Sequence, residues 1–322
     1  MDKPVLGKDD VLIRVSYVSL CGSDRHLFKG ELSGQAYPII PGHEFSGVIT
    51  DAPRDQKGLI GKKCIADIMI PCGACKECKA GHESECKSRK EIGFKLDGAL
   101  AKYIKVPVKS LYLLESSFDL KNACMVEPVA VALQVEKDLH PKKSDRILIL
   151  GAGSIGLSLA HVLRGKGYGT ITLADRNWHK LRIAEKAFSV ECLDLSVAGL
   201  KEHYCNKARP NIIVETTGSR KLIEDSFGIA VFGASIGIVG FIQEHIMIDP
   251  SIILLNGLTV KGVIGPKGVW EEAIAIVTRS DTFCRMMITD EQEFSETDKA
   301  FHDFIIKRND GSIKTIIRMG KE

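Results

Sequence analysis

The chain has 322 residues, of which 26% are charged and 44% apolar, and its formal net charge is +3. This composition is typical of a globular protein long enough for two domains. Because the charge is small and no basic stripe carries interleaved aromatics, a nucleic-acid partner is disfavoured. The longest nearly uncharged apolar stretch, GIAVFGASIGIVGFI, is too short and too rich in glycine to span a membrane. The first ten residues, MDKPVLGKDD, hold no apolar signal core, so we expect a cytoplasmic protein without a membrane partner.

The front of the chain predicts strands that end or begin at polar residues. The run VLIRVSYVSL (11–20) is strand-like and stops directly before Cys21 of CGSDRH. The run PGHEFSGVI (41–49) then places His43 and Glu44 at the entrance of a second strand.

Four cysteines lie within the fifteen residues CGACKECKAGHESEC (72–86). Their spacing, C-x2-C-x2-C-x7-C, lacks the two distant CxxC pairs of a zinc ribbon. Its fourth cysteine also comes later than in a ferredoxin loop, which closes with x3-C-P. In a reducing compartment, clustered cysteines are metal ligands more often than disulfides. We expect a closed, structural zinc site on Cys72, Cys75, Cys78 and Cys86; an iron–sulfur cluster and a loop without metal are the alternatives.

A later segment, MVEPVAVALQVEKDL, places Glu127 directly before Pro128. Proline suits the first position of a helix, and the residue before it avoids helical backbone, so Glu127 is expected at a helix entrance. Together with Cys21 and His43 it forms a ligand set suited to a catalytic zinc with one open position. By spacing alone, a buried cysteine and a core histidine are the commoner explanation.

The strongest single motif is RILILGAGSIG (146–156), an apolar run that opens into Gly151-x-Gly153-x-x-Gly156. A helical pattern follows, and then TITLAD, which ends in Asp175; this is the context of the dinucleotide fingerprint. The glycines allow a tight turn and a close approach to a pyrophosphate, which the helix N-terminus attracts. Asp175 favours NAD over NADP, although the neighbouring Arg176 could serve a 2′-phosphate. A glycine-rich turn of another α/β protein is the alternative.

The remaining chain continues to alternate strands and helices. The runs NIIVETTG (211–218), GASIGIVGF (233–241) and LTVKGVIG (258–265) predict strands, of which the first two are buried and parallel. The segments 268–280 and 295–308 have helical patterns, and SIKTIIRM predicts a final strand. Composition shifts near residue 120 from turns and cysteines to a βαβ alternation, which predicts a domain boundary there.

Jointly, these motifs resemble the zinc-dependent medium-chain alcohol dehydrogenase family. The matching stretches, in order, are CGSDRH, PGHEFSG, CGACKECKAGHESEC, DGALAKY, VEPVAVAL, GAGSIG followed by Asp175, and ETTG. The resemblance covers nearly the whole chain and implies an α/β protein of two domains. A β-rich GroES-like catalytic domain would span 1–120, with 266–322 returning to it. A Rossmann domain with a doubly wound parallel sheet would span 121–265.

The resemblance also implies a role for each candidate residue. Two zinc ions are expected per chain: a catalytic one on Cys21, His43 and Glu127, with Glu44 as an exchanging ligand, and a structural one on the four clustered cysteines. The cofactor, NAD rather than NADP, would contact the glycine loop and two strand ends: Gly151, Gly153, Ser154, Ile155, Gly156, Asp175, Arg176 and Thr217.

A proton released from the substrate needs a path out of the site. Ser23 lies two residues after Cys21, within hydrogen-bond reach of a substrate, and His26 matches the outer relay of the family. A turn-capping hydroxyl and a surface histidine are the alternative explanations of these two residues.

Within the family, Glu127 in place of a cysteine resembles the polyol branch, namely sorbitol, galactitol-phosphate and 2-deoxy-scyllo-inosamine dehydrogenases. The expected reaction is hydride transfer from a secondary alcohol of a polyol, cyclitol or aminocyclitol to NAD, giving a ketone. The alternatives are a sugar-alcohol-phosphate dehydrogenase, a catalytically silent sensor or structural protein that binds zinc and nucleotide, and an iron–sulfur electron-transfer protein. The resemblance further implies a small-molecule substrate and a homodimer or homotetramer.

Overall fold

The computed structural model describes residues 3–32, 35–307 and 311–320. The chain divides into two compact units: Met1–Glu127 together with Trp270–Glu322, and Pro128–Val269. The boundaries expected after residues 120 and 265 fall a few residues before these divisions. Within the described ranges, no helix combines the length and the apolar character that crossing a membrane requires.

The first unit begins mainly with strands. They are β1 (Asp10–Ser19), β2 (Glu44–Asp51), β3 (Lys63–Ala66), β4 (Met69–Ile70), β5 (Lys90–Glu91), β6 (Tyr103–Pro107) and β7 (Leu111–Leu113). Its early helices are α1 (Gly22–Phe28), α2 (Lys76–Lys79) and α3 (Leu120–Ala123), with 3₁₀ turns at Arg54–Leu59, Glu83–Glu85 and Val108–Ser110. Helix α4 (Val126–Leu139) starts in the first unit and continues into the second.

The second unit alternates strands and helices. Its strands are β8 (Arg146–Leu150), β9 (Thr170–Asp175), β10 (Glu191–Asp194), β11 (Ile212–Glu215), β12 (Ser235–Ile238) and β13 (Thr259–Gly262). The helices between them are α5 (Ser154–Gly165), α6 (Trp178–Phe188), α7 (Leu200–His203), α8 (Arg220–Ile229) and α9 (Pro250–Asn256). The chain then returns to the first unit with α10 (Trp270–Thr278), α11 (Asp281–Met287), β14 (Ile288–Glu293), α12 (Thr297–His302) and β15 (Lys314–Arg318).

In the first unit, β1 is the strand around which the sheet is built. The sheet has seven strands in the order β14-β15-β1-β2-β3-β7, and β6 also pairs with β1. Strand β1 pairs antiparallel with β2, β6 and β15, and its apolar residues join the core of this unit. At its end, Ser19 is opposite both Glu44 of β2 and Ile316 of β15. The last strand of the chain therefore meets the residues that follow His43.

The second unit contains a six-stranded parallel sheet in the order β10-β9-β8-β11-β12-β13. The predicted α/β class with a doubly wound parallel sheet is confirmed. From β8 the chain proceeds outward to β9 and β10, and β11 then starts the other half beside β8. In sheets of this kind, ligands bind outside the carboxyl ends of the strands where the order reverses, here between β8 and β11.

The helix predicted over 295–308 is interrupted. A 3₁₀ turn at Phe294–Glu296 precedes α12, and a π-helical segment at Asp303–Lys307 follows it; residue 308 lies outside the described residues. The Thr297 hydroxyl donates to the Phe294 carbonyl at 2.6 Å. This contact three residues back holds the tighter turn, so the regular helix starts at Thr297, two residues after the start of the predicted segment.

Candidate active site

Three side chains able to bind a metal meet where α1 and β2 begin. The ligand atoms of Cys21, His43 and Glu44 all lie within 4.8 Å of one another. Cys21 caps the N-terminus of α1 with extended backbone, while His43 and Glu44 are buried. Sulfur, imidazole and carboxylate are the ligand types that zinc binds in proteins, and a three-residue set leaves a coordination position open.

Asp24, a fully buried residue of α1, orients two of these groups. Its Oδ2 accepts a hydrogen bond from the Cys21 backbone N–H at 2.8 Å, and its Oδ1 lies 3.4 Å from Nδ1 of His43. A carboxylate beside one ring nitrogen leaves the other nitrogen for a metal. Burial alone lowers the pKa of His43, but Asp24 and Cys21 outweigh it and hold that pKa well above 6.5. The sequence analysis missed Asp24, although its place three residues after the Cys21 cap matches a capping box.

Glu44 is held on its other side by Lys314. The Lys314 Nζ lies 2.9 and 2.6 Å from the two carboxylate oxygens of Glu44, and the Ser19 hydroxyl donates to the same carboxylate. The exposed fractions of Lys314 and Glu44 are only 1% and 0%. Burial lowers the pKa of Lys314, but Glu44 and Cys21 more than compensate and raise it. The sequence analysis missed Lys314 because 270 positions separate it from Glu44.

Glu127, the predicted third ligand, is not part of the compact group among the described residues, whereas Glu44 is. Glu127 lies half-buried in the first turn of α4. Burial first and the charge of Glu44 second raise the pKa of Glu127 to about 7, against the opposing effect of His43. The two carboxylates thus act on each other, but among the described residues only Glu44 lies in the compact group with Cys21 and His43.

The two predicted relay residues lie one turn apart on α1. Ser23 Oγ is 3.3 Å from Nε2 of His43. His26 Nδ1 is 2.6 Å from Oε2 of Glu31, and both of these side chains are partly exposed. Residues three apart share one face of a helix. Polar groups therefore extend along α1 from the buried histidine toward solvent.

The four clustered cysteines form a second group. The sulfurs of Cys72, Cys75, Cys78 and Cys86 lie within 4.8 Å of one another, and all ten cysteines of the chain are free. Cys78 Sγ is 3.4 Å from that of Cys75 and 3.9 Å from that of Cys72. A tetrahedron with Zn–S bonds of ~2.3 Å has edges of about 3.8 Å, so this spacing fits one zinc ion. Backbone N–H groups lower the pKa of Cys72, whereas burial raises that of Cys78. At Cys75, a hydrogen bond from the Cys78 backbone N–H lowers the pKa, but contacts among the clustered thiols and burial outweigh it, so that the pKa is raised.

The glycine loop between β8 and α5 has space for a phosphate group. Gly151 has a φ of +107°, and a Cβ on Gly156 would lie 1.9 Å from the Gly151 carbonyl oxygen. At Gly153 a Cβ would meet nothing within 4 Å. The buried Ser154 Oγ has no hydrogen-bond partner among the described residues, and α5 has no side-chain cap. Free space beside unpaired donors at the start of a twelve-residue helix fits a dinucleotide pyrophosphate.

Asp175, the last residue of β9, is fixed beside this loop. Its two oxygens accept hydrogen bonds from the backbone N–H groups of Ala152, at 2.7 Å, and Asn177, at 2.8 Å. Arg176 is exposed directly after it, and Ile155 is partly exposed in the first turn of α5. The carboxylate therefore lies at the carboxyl edge of the sheet, where the fingerprint places the residue that contacts the ribose.

Thr217 lies after β11 and borders the same loop. A Cβ on Gly151 would be 2.7 Å from Thr217 Cγ2. The Thr217 backbone N–H donates to Glu215 Oε1 at 2.7 Å. The sequence analysis did not identify Glu215, although it begins the quoted ETTG motif.

Comparison with known proteins gives matches over both units. The model of the alcohol dehydrogenase GroES-like domain matches residues 7–116, and the model of the zinc-binding dehydrogenase family matches residues 154–279. The starvation-sensing protein RspB of Escherichia coli is 29% identical over 80% of this chain and 76% of its own length. The sorbitol dehydrogenase of Halalkalibacterium halodurans is 27% identical over 93% of this chain and 90% of its own. The crystal structure of galactitol-1-phosphate dehydrogenase from Escherichia coli has a TM-score of 0.85 at 26% identity, covering 98% of this chain and 94% of that one.

The Lys314–Glu44 pair gives a test of the site that does not depend on activity. Replacing Lys314 with methionine leaves the Glu44 carboxylate buried and unpaired in protein stripped of metal, so we expect the free energy of unfolding to fall by about 3–5 kcal/mol. The measurement is urea denaturation of the metal-free chain.

Lys121→Met is the matched control, because Lys121 forms a partly exposed pair with Glu291 at 2.6 Å. Its loss should cost no more than about 1 kcal/mol. Equal losses for the two variants would show that Lys314 does not carry the charge balance of the site.

Proposed function

Because the chain belongs to the zinc-dependent alcohol dehydrogenase family of oxidoreductases, we propose that it oxidises a secondary alcohol of a polyol, cyclitol or aminocyclitol to a ketone with NAD. The observation that carries this proposal is the ligand group of Cys21, His43 and Glu44, with the second carboxylate of Glu127 acting on it. The most specific form of the proposal is a substrate similar to 2-deoxy-scyllo-inosamine.

The ligand chemistry supports a substrate with neighbouring hydroxyl or amino groups. A carboxylate is a harder ligand than a second cysteine thiolate, and harder ligand sets favour oxygen donors. Two carboxylates near one metal position allow the coordination to change, so that two vicinal oxygens of a substrate can bind. The names of the sorbitol and galactitol-1-phosphate relatives agree with this substrate class.

Side chains of the first unit would perform the remaining steps. Zinc, when bound, supplies a Lewis acid for the substrate oxygen, and NAD is the hydride acceptor. Cys21, His43 and Glu44 would hold the metal, with Asp24 fixing the ring of His43. Ser23 would take the hydroxyl proton and His26, with its partly exposed imidazole, would pass it to solvent.

Asp175 supports NAD rather than NADP as the cofactor. Its carboxylate would accept a hydrogen bond from a ribose 2′-hydroxyl and repel a 2′-phosphate. The exposed Arg176 is the group that would offset this repulsion if NADP were used. We therefore propose NAD as the preferred cofactor of the chain.

A panel of substrates tests the activity. Polyols, cyclitols, aminocyclitols and sugar-alcohol phosphates are compared with ethanol and butanol, each with NAD and with NADP, by the absorbance of the reduced cofactor. We expect the highest kcat/KM for a polyol-type alcohol with NAD, because polar pocket groups left unpaired by a simple alcohol lower its specificity.

A higher specificity constant for ethanol or butanol than for every polyol-type compound would reject the proposed substrate class. The highest value for a phosphorylated polyol would favour the sugar-alcohol-phosphate alternative. No turnover with any compound would favour the catalytically silent sensor.

We further propose two zinc ions per chain with separable roles. Cys86→Ser should lose one zinc and lower thermal stability, because binding of a structural zinc is part of the folding free energy. Cys21→Ser should lose the other zinc and all turnover while keeping the fold. Zinc and iron are measured by elemental analysis.

Cys205→Ser is the control for this pair of variants, since Cys205 is exposed and belongs to neither cysteine-containing ligand group. It should retain both zinc ions. Iron in place of zinc, or one zinc in the fully loaded wild-type chain, would contradict the assignment.

We also propose that a second copy of the chain covers an apolar surface at the edge of the second unit. Strand β13 ends the sheet, and α9 (sequence PSIILLN) buries none of its described residues. The edge surface consists of four exposed apolar residues: Phe232, Leu254, Leu255 and Val260. Two identical edges can pair about a two-fold axis, which removes both the open strand and the apolar patch from solvent.

Sedimentation velocity tests this assembly. The wild-type chain should sediment as a dimer or a larger oligomer, and Leu254→Glu should shift it toward the monomer, because a charge placed in an apolar interface loses its hydration. Val197→Glu, at an exposed apolar residue outside the edge surface, should leave the oligomer intact. A wild-type monomer at micromolar concentration would exclude the proposal.

A further inference from the structure

A buried carboxylate at the end of β11 has no role in the proposed chemistry. Glu215 is fully buried. Its Oε1 accepts hydrogen bonds from the Thr217 backbone N–H, at 2.7 Å, and from the Thr217 hydroxyl. Its Oε2 accepts from the Gly218 backbone N–H at 3.0 Å. One side chain thus organises the whole loop that follows β11.

The same residue also holds the loop after β12. The Glu215 main-chain carbonyl accepts hydrogen bonds from the N–H groups of Val239, at 2.9 Å, and Gly240, at 3.1 Å. A Cβ on Gly240 would lie 2.2 Å from the Gly218 nitrogen and 2.8 Å from Glu215 Oε2. Gly218, with a φ of +69°, would bring a Cβ to 2.2 Å from the Phe241 carbonyl oxygen. The two loops therefore pack backbone against backbone, with Glu215 behind both.

The loop after β11 in turn borders the glycine loop after β8. A Cβ on Gly151 would lie 2.6 Å from Thr216 Oγ1, and the Thr216 hydroxyl donates to the Leu150 carbonyl at 2.7 Å. Strands β8 and β11 are the neighbours at which the strand order reverses. Loops in this place line the dinucleotide crevice of doubly wound sheets, and each half of the sheet binds one mononucleotide.

We propose that Glu215 is a positioning residue that holds the loops after β11 and β12 in the conformation that binds the nicotinamide half of the dinucleotide. The proposal rests on the dinucleotide binding proposed above. A carboxylate suits this position because it accepts hydrogen bonds at both oxygens and carries no donor. An amide would turn an NH₂ group toward the backbone N–H groups and leave donors unpaired. We expect a substitution of Glu215 to weaken binding of the nicotinamide half only, because the residues that would bind the adenosine half lie on β8, β9 and the loops that follow them.

The test compares two ligands on the zinc-loaded, full-length chain. NADH binding is followed by fluorescence titration, and binding of ADP-ribose, which lacks the nicotinamide, by calorimetry. For Glu215→Gln we expect the Kd of NADH to rise about tenfold or more and the Kd of ADP-ribose to change less than about threefold. Gly240→Ala keeps the residue Glu215 but places a Cβ against the Gly218 nitrogen and Glu215 Oε2, which forces the two loops apart. It should show the same selectivity and is the second test if Glu215→Gln folds poorly.

Asp225→Asn is the control, because Asp225 is another buried acid of the same unit and pairs with Lys221 at 2.6 Å. It should lower thermal stability without changing either Kd. Equal weakening of NADH and ADP-ribose by Glu215→Gln and Gly240→Ala, or unchanged NADH binding in both, would overturn the positioning role. A wild-type chain that binds neither ligand would instead overturn the proposed function.

Discussion

The buried ion pair between Lys314 and Glu44 is the interaction on which the candidate active site depends. Cys21, Asp24, Glu44 and Glu127 gather several potential negative charges in one buried region, and such charges are costly unless they are compensated. The Lys314 ammonium group balances the charge of the Glu44 carboxylate, and its Nζ lies 2.6 Å from Glu44 Oε2. Burial first and the charge of Glu44 second raise the pKa of Glu127, while burial lowers the pKa of His43 but Asp24 and Cys21 outweigh it and raise it. Raised pKa values are expected of groups in a site that binds a cation, because a divalent ion can replace the protons that these groups otherwise hold.

The ion pair exists only because the end of the chain returns to its beginning. Strand β15 pairs with β1, and β1 pairs with β2, so that Ser19 lies between the two strands that carry Lys314 and Glu44. The mixed ligand group is thus a product of the whole sheet rather than of one motif. In the second unit, direct contacts between loop backbones bring residues from different strand ends together. Gly218 and Gly240 let the loops after β11 and β12 touch; the Glu215 carboxylate binds the first loop and the Glu215 main-chain carbonyl binds the second.

The parts of the molecule that could be predicted from sequence are those whose determinants are local. The four cysteines lie within fifteen residues, and the glycine loop has its strand and helix on either side, so spacing alone specifies both. Lys314 and Glu215 were missed because their roles depend on strand order and on loops brought together by folding. Glu127 as the third ligand and Glu44 as the exchanging ligand remain predictions; among the described residues it is Glu44 that lies in the compact group with Cys21 and His43. Glu44 follows His43 directly in the chain, whereas strand pairing is what brings Ser19 and Lys314 to its carboxylate.

The two candidate metal-binding groups differ in how close their ligands lie in the sequence. The cysteine group is closed, because four sulfurs surround one position. The lobe that carries them consists of two short strands and one-turn helices, and these elements bury few side chains. A metal there contributes to folding, as in other small lobes held by four thiolates. The group of Cys21, His43 and Glu44 is instead built by a sheet with its own apolar core. Leu20 and Phe45, next to Cys21 and Glu44, belong to that core, and a three-residue set has a coordination position to spare. A substrate oxygen requires an open coordination position, which is why we propose the chemistry for the group that the sheet assembles rather than for the four cysteines.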